Sequence, residues 1–230
     1  LIIWYIENHS TVPLSPLTEG RDTALEKLYV KPDIDMHISY FSEKKETTRV
    51  KSLNDFFGSN KNVAQAIYLS ADAGFGKTAF SKYLTMLWCQ GHHKAENYNS
   101  FKEDDISALS GFDFVFLLPL RDLSSVCHVD EIIQTHLIKN LQCSQSLPHH
   151  FVSEILNREK CLVILDGLDE WSHPQNNCTR PKESVPHRYA GRKNCVILTT
   201  TRPWKLGNSD IKTSRIDRIV ELVQLNNESV

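Results

Sequence analysis

The chain has 230 residues, 40% of them hydrophobic and 23% charged, with a formal net charge of −2. That balance is ordinary for a globular protein and leaves room for one large α/β domain or two small ones. It gives no electrostatic case for nucleic acid, whose binders carry a basic excess.

No apolar run approaches the ~20 residues of a membrane-spanning helix. The opening Leu1-Ile2-Ile3-Trp4-Tyr5-Ile6 also lacks the basic region and cleavage site of a signal peptide. A start without methionine and a stop after Asn226-Asn227-Glu228-Ser229-Val230 read as a fragment of something longer.

In chain order, Leu17 to Leu28 is expected to be helical, with Leu17, Ala24, Leu25 and Leu28 on one side. A short strand at Tyr29-Val30, ending at Pro32, should follow. Residues from about Ser39 to Lys51 are polar without periodicity and read as a surface loop, and Val50 to Phe57 as a short helix. Ala66-Ile67-Tyr68-Leu69 is a short apolar strand. Beyond it Phe80, Tyr83, Leu84, Leu87 and Trp88 recur at helical spacing up to Gly91, a stripe that reads as core packing. Phe112 to Leu118 is another apolar run, ended by Pro119. Val129 to Leu141 is expected to be helical, with Ile132, Ile133, Leu137 and Leu141 on one face, and Phe151 to Leu156 helical too.

Cys161 to Leu165 and Cys195 to Leu198 are short, unalternating and rich in branched residues, as strands buried on both faces of a parallel sheet are. Ile216 to Leu222 would be the last strand. Alternation of strand and helix argues for a three-layer α/β domain with a mainly parallel central sheet and a ligand at the carboxyl ends of its strands.

Between the first such strand and its helix lies Ala71-Asp72-Ala73-Gly74-Phe75-Gly76-Lys77-Thr78, a phosphate-binding loop in strand–loop–helix context. Two glycines let backbone N–H groups approach a polyphosphate, and the positive end of the next helix adds attraction. Lys77 can reach the β- and γ-phosphates, and Thr78 can place its hydroxyl on magnesium. The usual motif begins with glycine; here that position is Ala71.

The strand at Cys161 runs into Asp166-Gly167-Leu168-Asp169-Glu170. Asp166, at its end, fits the second magnesium group. Asp169 and Glu170, just beyond, could orient or deprotonate an attacking water. Thr199-Thr200-Thr201-Arg202-Pro203 ends the next strand, and the forked donors of Arg202 suit sensing of a γ-phosphate.

The six cysteines (Cys89, Cys127, Cys143, Cys161, Cys178, Cys195) show no CxxC pair and no metal-ligand spacing. Cys161 and Cys195 read as buried thiols, which suits a reducing compartment. His92-His93 and His149-His150 are adjacent and cannot converge on one metal from a regular element; the first pair reads as a solvated helix end. Asn-x-Ser/Thr triplets at Asn8, Asn177 and Asn227 read as chance. Ser172 to Asn194 is a long, locally basic stretch. Loops of ~20 residues inside a compact domain are often functional, and contact with a neighbouring subunit is the alternative to plain solvation here.

These motifs resemble the NACHT domain of the signal-transducing P-loop (STAND) ATPases, the family that includes NOD-like innate immune receptors. The elements that carry the resemblance are the Ala71–Thr78 loop, DGLDE at Asp166–Glu170 and TTTRP at Thr199–Pro203. A small residue after Asp166, with acids three and four later, separates the chain from the plant-resistance-type ATPases, which place two acids directly after that strand. No NKxD guanine motif is present, so ATP is favoured over GTP.

The resemblance implies Lys77 and Thr78 as phosphate and magnesium residues, Asp166 as the metal-side acid, Asp169 or Glu170 as the hydrolysis acid, and Arg202 as the sensor. It places a nucleotide-binding domain at residues 27–225, after a flanking segment at 1–26 and before the start of a helical region at 226–230. The function it implies is a cytoplasmic ATP/ADP switch with Mg2+, slow hydrolysis, self-oligomerisation, and signalling partners engaged through flanking domains. The rival readings are a fast-turnover P-loop kinase or AAA+-type ATPase, and a nucleotide-insensitive scaffold.

Overall fold

The computed structural model describes residues 1–13, 22–38, 46–58, 64–93, 101–123, 126–141, 148, 150–174, 178, 183–189, 191–207, 211 and 216–223. The elements, in order, are α1 (Ile2–His9), β1 (Thr11–Pro13), β2 (Asp22–Ala24), α2 (Leu25–Leu28), β3 (Asp33–His37), β4 (Thr47–Arg49) and α3 (Leu53–Phe57). They continue with β5 (Ala66–Ser70), α4 (Lys77–His92), α5 (Glu103–Ser110), β6 (Phe114–Pro119), α6 (Val129–Ile132), α7 (Phe151–Arg158), β7 (Cys161–Asp166), β8 (Cys195–Thr201), α8 (Pro203–Leu206) and β9 (Arg218–Val223). Single 3-10 turns follow β6 and β7, and α6 runs on as a π-helical segment, Ile133–Ile138.

Seven strands form one sheet in the order β4-β3-β9-β5-β8-β7-β6. Five of them, from β9 to β6, run parallel, and β3 and β4 add an antiparallel hairpin at the β9 edge. The fold is a three-layer α/β one, with a mainly parallel sheet and flanking helices, as the alternation of elements predicts. Every residue of β5, β7 and β8 is buried, which is why their sequences show no polar alternation. Register pairs Ser70 with Thr201, Leu165 with Thr199 and Pro119 with Asp166. The carboxyl ends of four neighbouring strands therefore finish together.

The α4 stripe is core as expected: Phe80, Tyr83, Leu84, Leu87 and Trp88 are all buried. Helix α1, invisible to the sequence reading, packs on α4. Its Tyr5 hydroxyl accepts from the Leu117 N–H and donates to the Val115 carbonyl, occupying the free edge of β6.

The structure departs from the sequence pattern at several elements. Of the helix expected over Leu17 to Leu28, only Leu25–Leu28 is helical among the described residues, because Asp22–Ala24 finds strand partners in Thr11–Pro13. Tyr29-Val30 is not a strand: the Tyr29 ring stacks on Tyr83 at 4.6 Å, and the strand starts after Pro32 instead of ending there. Within the expected loop, Thr47–Arg49 pairs with β3, and Arg49 bridges to Asp33 and Asp35. The short helix expected from Val50 begins at Leu53, capped by the Ser52 hydroxyl.

Helix α4 continues past Gly91 to His92. Helix α5, with Glu103, Asp104 and Asp105 in its first turn, leaves no apolar stripe in the sequence because it buries only Asp105 and Leu109. The region expected to open at residue 226 lies outside the described residues. No helix among the described residues is long and apolar enough to cross a membrane.

Candidate functional site

The Ala71–Thr78 loop leaves the carboxyl end of β5 and opens α4. Ala71 is buried, and its N–H donates to the Thr201 carbonyl at 3.2 Å, so the loop's first residue is held by the neighbouring strand. Gly74 and Gly76 both take positive φ, at 82° and 83°, a backbone region that side chains rarely adopt. Asp72, Ala73 and Phe75 are exposed along the loop. Lys77 Nζ donates to the carbonyls of Ala71 (2.8 Å) and Asp72 (2.9 Å), and burial holds its ammonium below the ordinary lysine pKa.

Asp166 ends β7 only 7% exposed and is held by hydroxyls from two other elements. Thr78 Oγ1 donates to its Oδ2 at 2.7 Å, and Thr200 Oγ1 donates to its Oδ1 at 2.7 Å. Ser81 Oγ lies 3.0 Å from Oδ1 and 3.1 Å from the Lys77 carbonyl. Thr78 and Ser81 are three residues apart, so they share the face of α4 that meets the strand end. Thr200 Oγ1 also accepts from the Gly167 N–H at 2.9 Å, fastening the acidic turn to β8. Thr78 and Asp166 thus present hard oxygens side by side, a donor pair that suits magnesium.

The turn Leu168–Glu170 sends its two acids in different directions. Asp169 Oδ2 accepts from Arg202 Nε at 2.8 Å, and its Oδ1 is buried with no hydrogen-bond partner among the described residues. Glu170 is gripped by Arg121, Nε to Oε2 at 2.5 Å and Nη2 to Oε1 at 2.8 Å. That guanidinium holds the Glu170 carboxyl below the ordinary carboxylate pKa. A cleft of about 470 Å³ brings these groups together: Gly74, Gly76, Lys77 and Thr78 on one side, with Asp166, Asp169, Glu170, Arg202 and Arg121 opposite.

Three residues of the site were not singled out in the sequence. Ser81 was open to a spacing argument from Thr78, and Thr200 belongs to the strand-end hydroxyls expected to meet a γ-phosphate, whereas its hydroxyl turns to Asp166 and Gly167. Arg121 lies in the turn after β6, where no local pattern announces it. Of the histidines, His92 and His93 are exposed at the end of α4, and His149 lies outside the described residues. In the long loop, Arg192 turns inward and binds Asp130 bidentately, both distances 2.6 Å, with Ser153 Oγ at 3.0 Å. That guanidinium is spent on contacts inside the domain.

The NACHT-domain family model matches residues 65–230. No curated protein matches the chain. The matched stretch covers well over half the sequence and contains the phosphate loop, the acidic turn and the Arg202 strand end described above. The chain belongs to the NACHT family, P-loop NTPases of the signal-transducing STAND type, whose domains bind nucleotide and magnesium.

Proposed function

We propose that the chain is the ATP/ADP switch of a NOD-like receptor, acting in the cytoplasm with slow Mg-dependent hydrolysis and nucleotide-dependent self-assembly. The observation that carries this reading is that both candidate hydrolysis acids are already ion-paired. Asp169 is tied to Arg202 and Glu170 to Arg121. Arg121 holds Glu170 below the ordinary carboxylate pKa and so makes it a weaker base, and Arg202 occupies one oxygen of Asp169, so this cleft favours holding a triphosphate over cleaving it quickly.

In this reading the loop N–H groups cradle the phosphates, and Lys77 turns from the Ala71 and Asp72 carbonyls to the β- and γ-oxygens. Ala71, Asp72, Ala73, Gly74, Phe75 and Gly76 form the cradle, while Thr78 and Asp166 hold the magnesium. That ion neutralises charge on the phosphate oxygens. Asp169 positions the attacking water through its unpartnered Oδ1, and Glu170 is held in reserve by Arg121.

With ADP, Arg202 stays on Asp169. With ATP, the γ-phosphate takes the remaining donors of the same guanidinium while Nε stays on Asp169, giving the two nucleotides different contacts in two states, as a switch requires. Helix α8 begins at the next residue and carries Trp204, 56% exposed, so a shift of Arg202 alters a surface that a second copy can read.

We place the nucleotide-binding unit at residues 27–225, because β3 and β4 extend the sheet that holds the site. Residues 1–26 are a flanking segment docked through Tyr5. Signalling partners engage through flanking domains.

The test is nucleotide affinity, turnover and sedimentation of the purified chain. Different affinities for ATP and ADP are expected, together with turnover far below the ~1–10³ per second of ordinary enzymes. Lys77→Met should abolish binding. Turnover in the ordinary range, or no binding of either nucleotide by the folded chain, overturns the reading.

A further inference from the structure

The cysteines that lack any ligand spacing along the sequence acquire one in three dimensions. Cys127 precedes α6, whereas His173, Cys178 and His187 all lie in the long loop between the acidic turn and β8. One ligand atom from each of the four lies within 4.8 Å of every other. Cys127 and His187 are buried, and His173 and Cys178 partly so.

The backbone fixes this arrangement before any ligand does. The His187 N–H donates to the Cys127 carbonyl at 2.7 Å, and the Val129 N–H donates to the His187 carbonyl at 2.9 Å.

Cys127 and Cys178 are joined as a disulfide, with Cα atoms 6.1 Å apart. Beside the disulfide, the two imidazoles are hydrogen-bonded to each other. His173 Nε2 and His187 Nε2 face each other at 3.3 Å, with their rings nearly perpendicular at 86°. The opposite ring nitrogens look outward: His173 Nδ1 lies 2.9 Å from the Pro174 carbonyl, and His187 Nδ1 lies 3.5 Å from Glu183 Oε2.

An Nδ1–H directed at a carbonyl or carboxylate leaves the Nε2 lone pair for a metal, which is the usual outer arrangement of ligating histidines. With Zn–N near 2.05 Å, two imidazoles on one tetrahedral ion hold their nitrogens about 3.3 Å apart. Two sulfurs and two nitrogens in one small volume suit zinc above harder cations.

We propose that Cys127, His173, Cys178 and His187, with both thiols reduced, form a structural zinc site. A thiol or phosphine reductant supplies the two electrons that cleave the Cys127–Cys178 bond to two thiols; zinc binding then deprotonates both and releases two protons to solvent, with no further change in oxidation state. All four positions come from the protein, so the site is closed to substrate and its work is mechanical. It ties the loop that follows Asp169 and Glu170 to the segment that starts α6, and so steadies the strand-end turn from outside the nucleotide cleft.

The full chain, expressed with zinc in the medium and purified under a phosphine reductant, decides the matter. One zinc per chain is expected by elemental analysis, and peptide mapping should show Cys127 and Cys178 alkylated only after chelation. Replacement by cobalt should give tetrahedral d–d bands with thiolate charge transfer. His173→Ala should abolish those bands, and Glu183→Gln should weaken zinc affinity at least tenfold. These spectroscopic and mapping readouts on the unaltered chain stand even if a ligand variant fails to fold. A chain that stays zinc-free under these conditions, or whose zinc survives His173→Ala and Cys178→Ser unchanged, overturns the proposal.

Discussion

Arg202 Nε lies 2.8 Å from Asp169 Oδ2, a guanidinium 41% exposed against a carboxylate only 5% exposed. The cation of the pair lies at the rim, and the acid lies inside. Arg202→Ala leaves that carboxylate without its partner and removes the donor proposed to meet a γ-phosphate. ATP affinity should fall towards that of ADP, by about tenfold, the effect of losing one charge-assisted hydrogen bond. ADP affinity should stay within a few-fold. Titration calorimetry with both nucleotides checks this, and an equal loss for ADP and ATP sinks the sensor assignment.

Asp169 and Glu170 are adjacent in sequence but not in role. Asp169→Asn should reduce hydrolysis by about 10²-fold or more, the usual effect of losing a general base, with little change in nucleotide affinity. Glu170→Gln leaves Asp169 in place and should cost much less. Single-turnover assays on the two variants separate them. A reversed order, with Glu170→Gln the more damaging, transfers the water-positioning role to the residue that Arg121 holds.

The parts of this molecule that were legible in its sequence are those whose chemistry is local. The phosphate loop declares itself through Gly74, Gly76, Lys77 and Thr78 in one turn, and β7 through an unbroken apolar run ending in Asp166. Strand β4 was not legible, because Thr47–Arg49 buries no side chain and owes its conformation to pairing with β3. Helix α5 buries too few residues to produce a stripe. Arg121 joins the site across 49 positions. The Cys127, His173, Cys178 and His187 cluster was hidden for the same reason. Three of its members sit in a loop, where no helical or strand period predicts which side chains converge.

Gly91 looked like a helix stop but lies inside α4, where its lack of a side chain serves packing. A Cβ there would stand 2.9 Å from Ser110 Cβ on α5. Gly91→Ala gains up to about 1 kcal/mol of helix propensity. Overpacking against a neighbouring helix costs about 1–3 kcal/mol. The net should be destabilising by about 1 kcal/mol, a fall of roughly 2–4 °C in Tm for a chain of this size. Adding Ser110→Gly should restore most of it, and thermal melts of the single and double variants test the pairing. A variant melting above the parent refutes the close-packing account.

His9 supplies the clearest pH dependence. Burial, with the Lys82 ammonium and His136 nearby, pulls its pKa from 6.5 down to about 4. Its ring packs edge-on against Trp4 at 5.2 Å. Between those two pH values the unfolded chain takes up a proton that the folded chain refuses, so stability rises with pH across the window. The full contribution is present above about pH 6.5, is lost as pH falls towards 4, and changes no further below that. A half-buried ring is partly screened, so the loss is on the order of 2 kcal/mol. His136, also lowered by burial, acts with the same sign. His9→Phe keeps an aromatic ring beside Trp4 and removes the titration. Denaturant midpoints of parent and variant should therefore run parallel above pH 6.5 and diverge below it, with the variant the more stable at pH 4.5. Curves that stay parallel throughout would show that His9 titrates as freely in the folded chain as in the unfolded one.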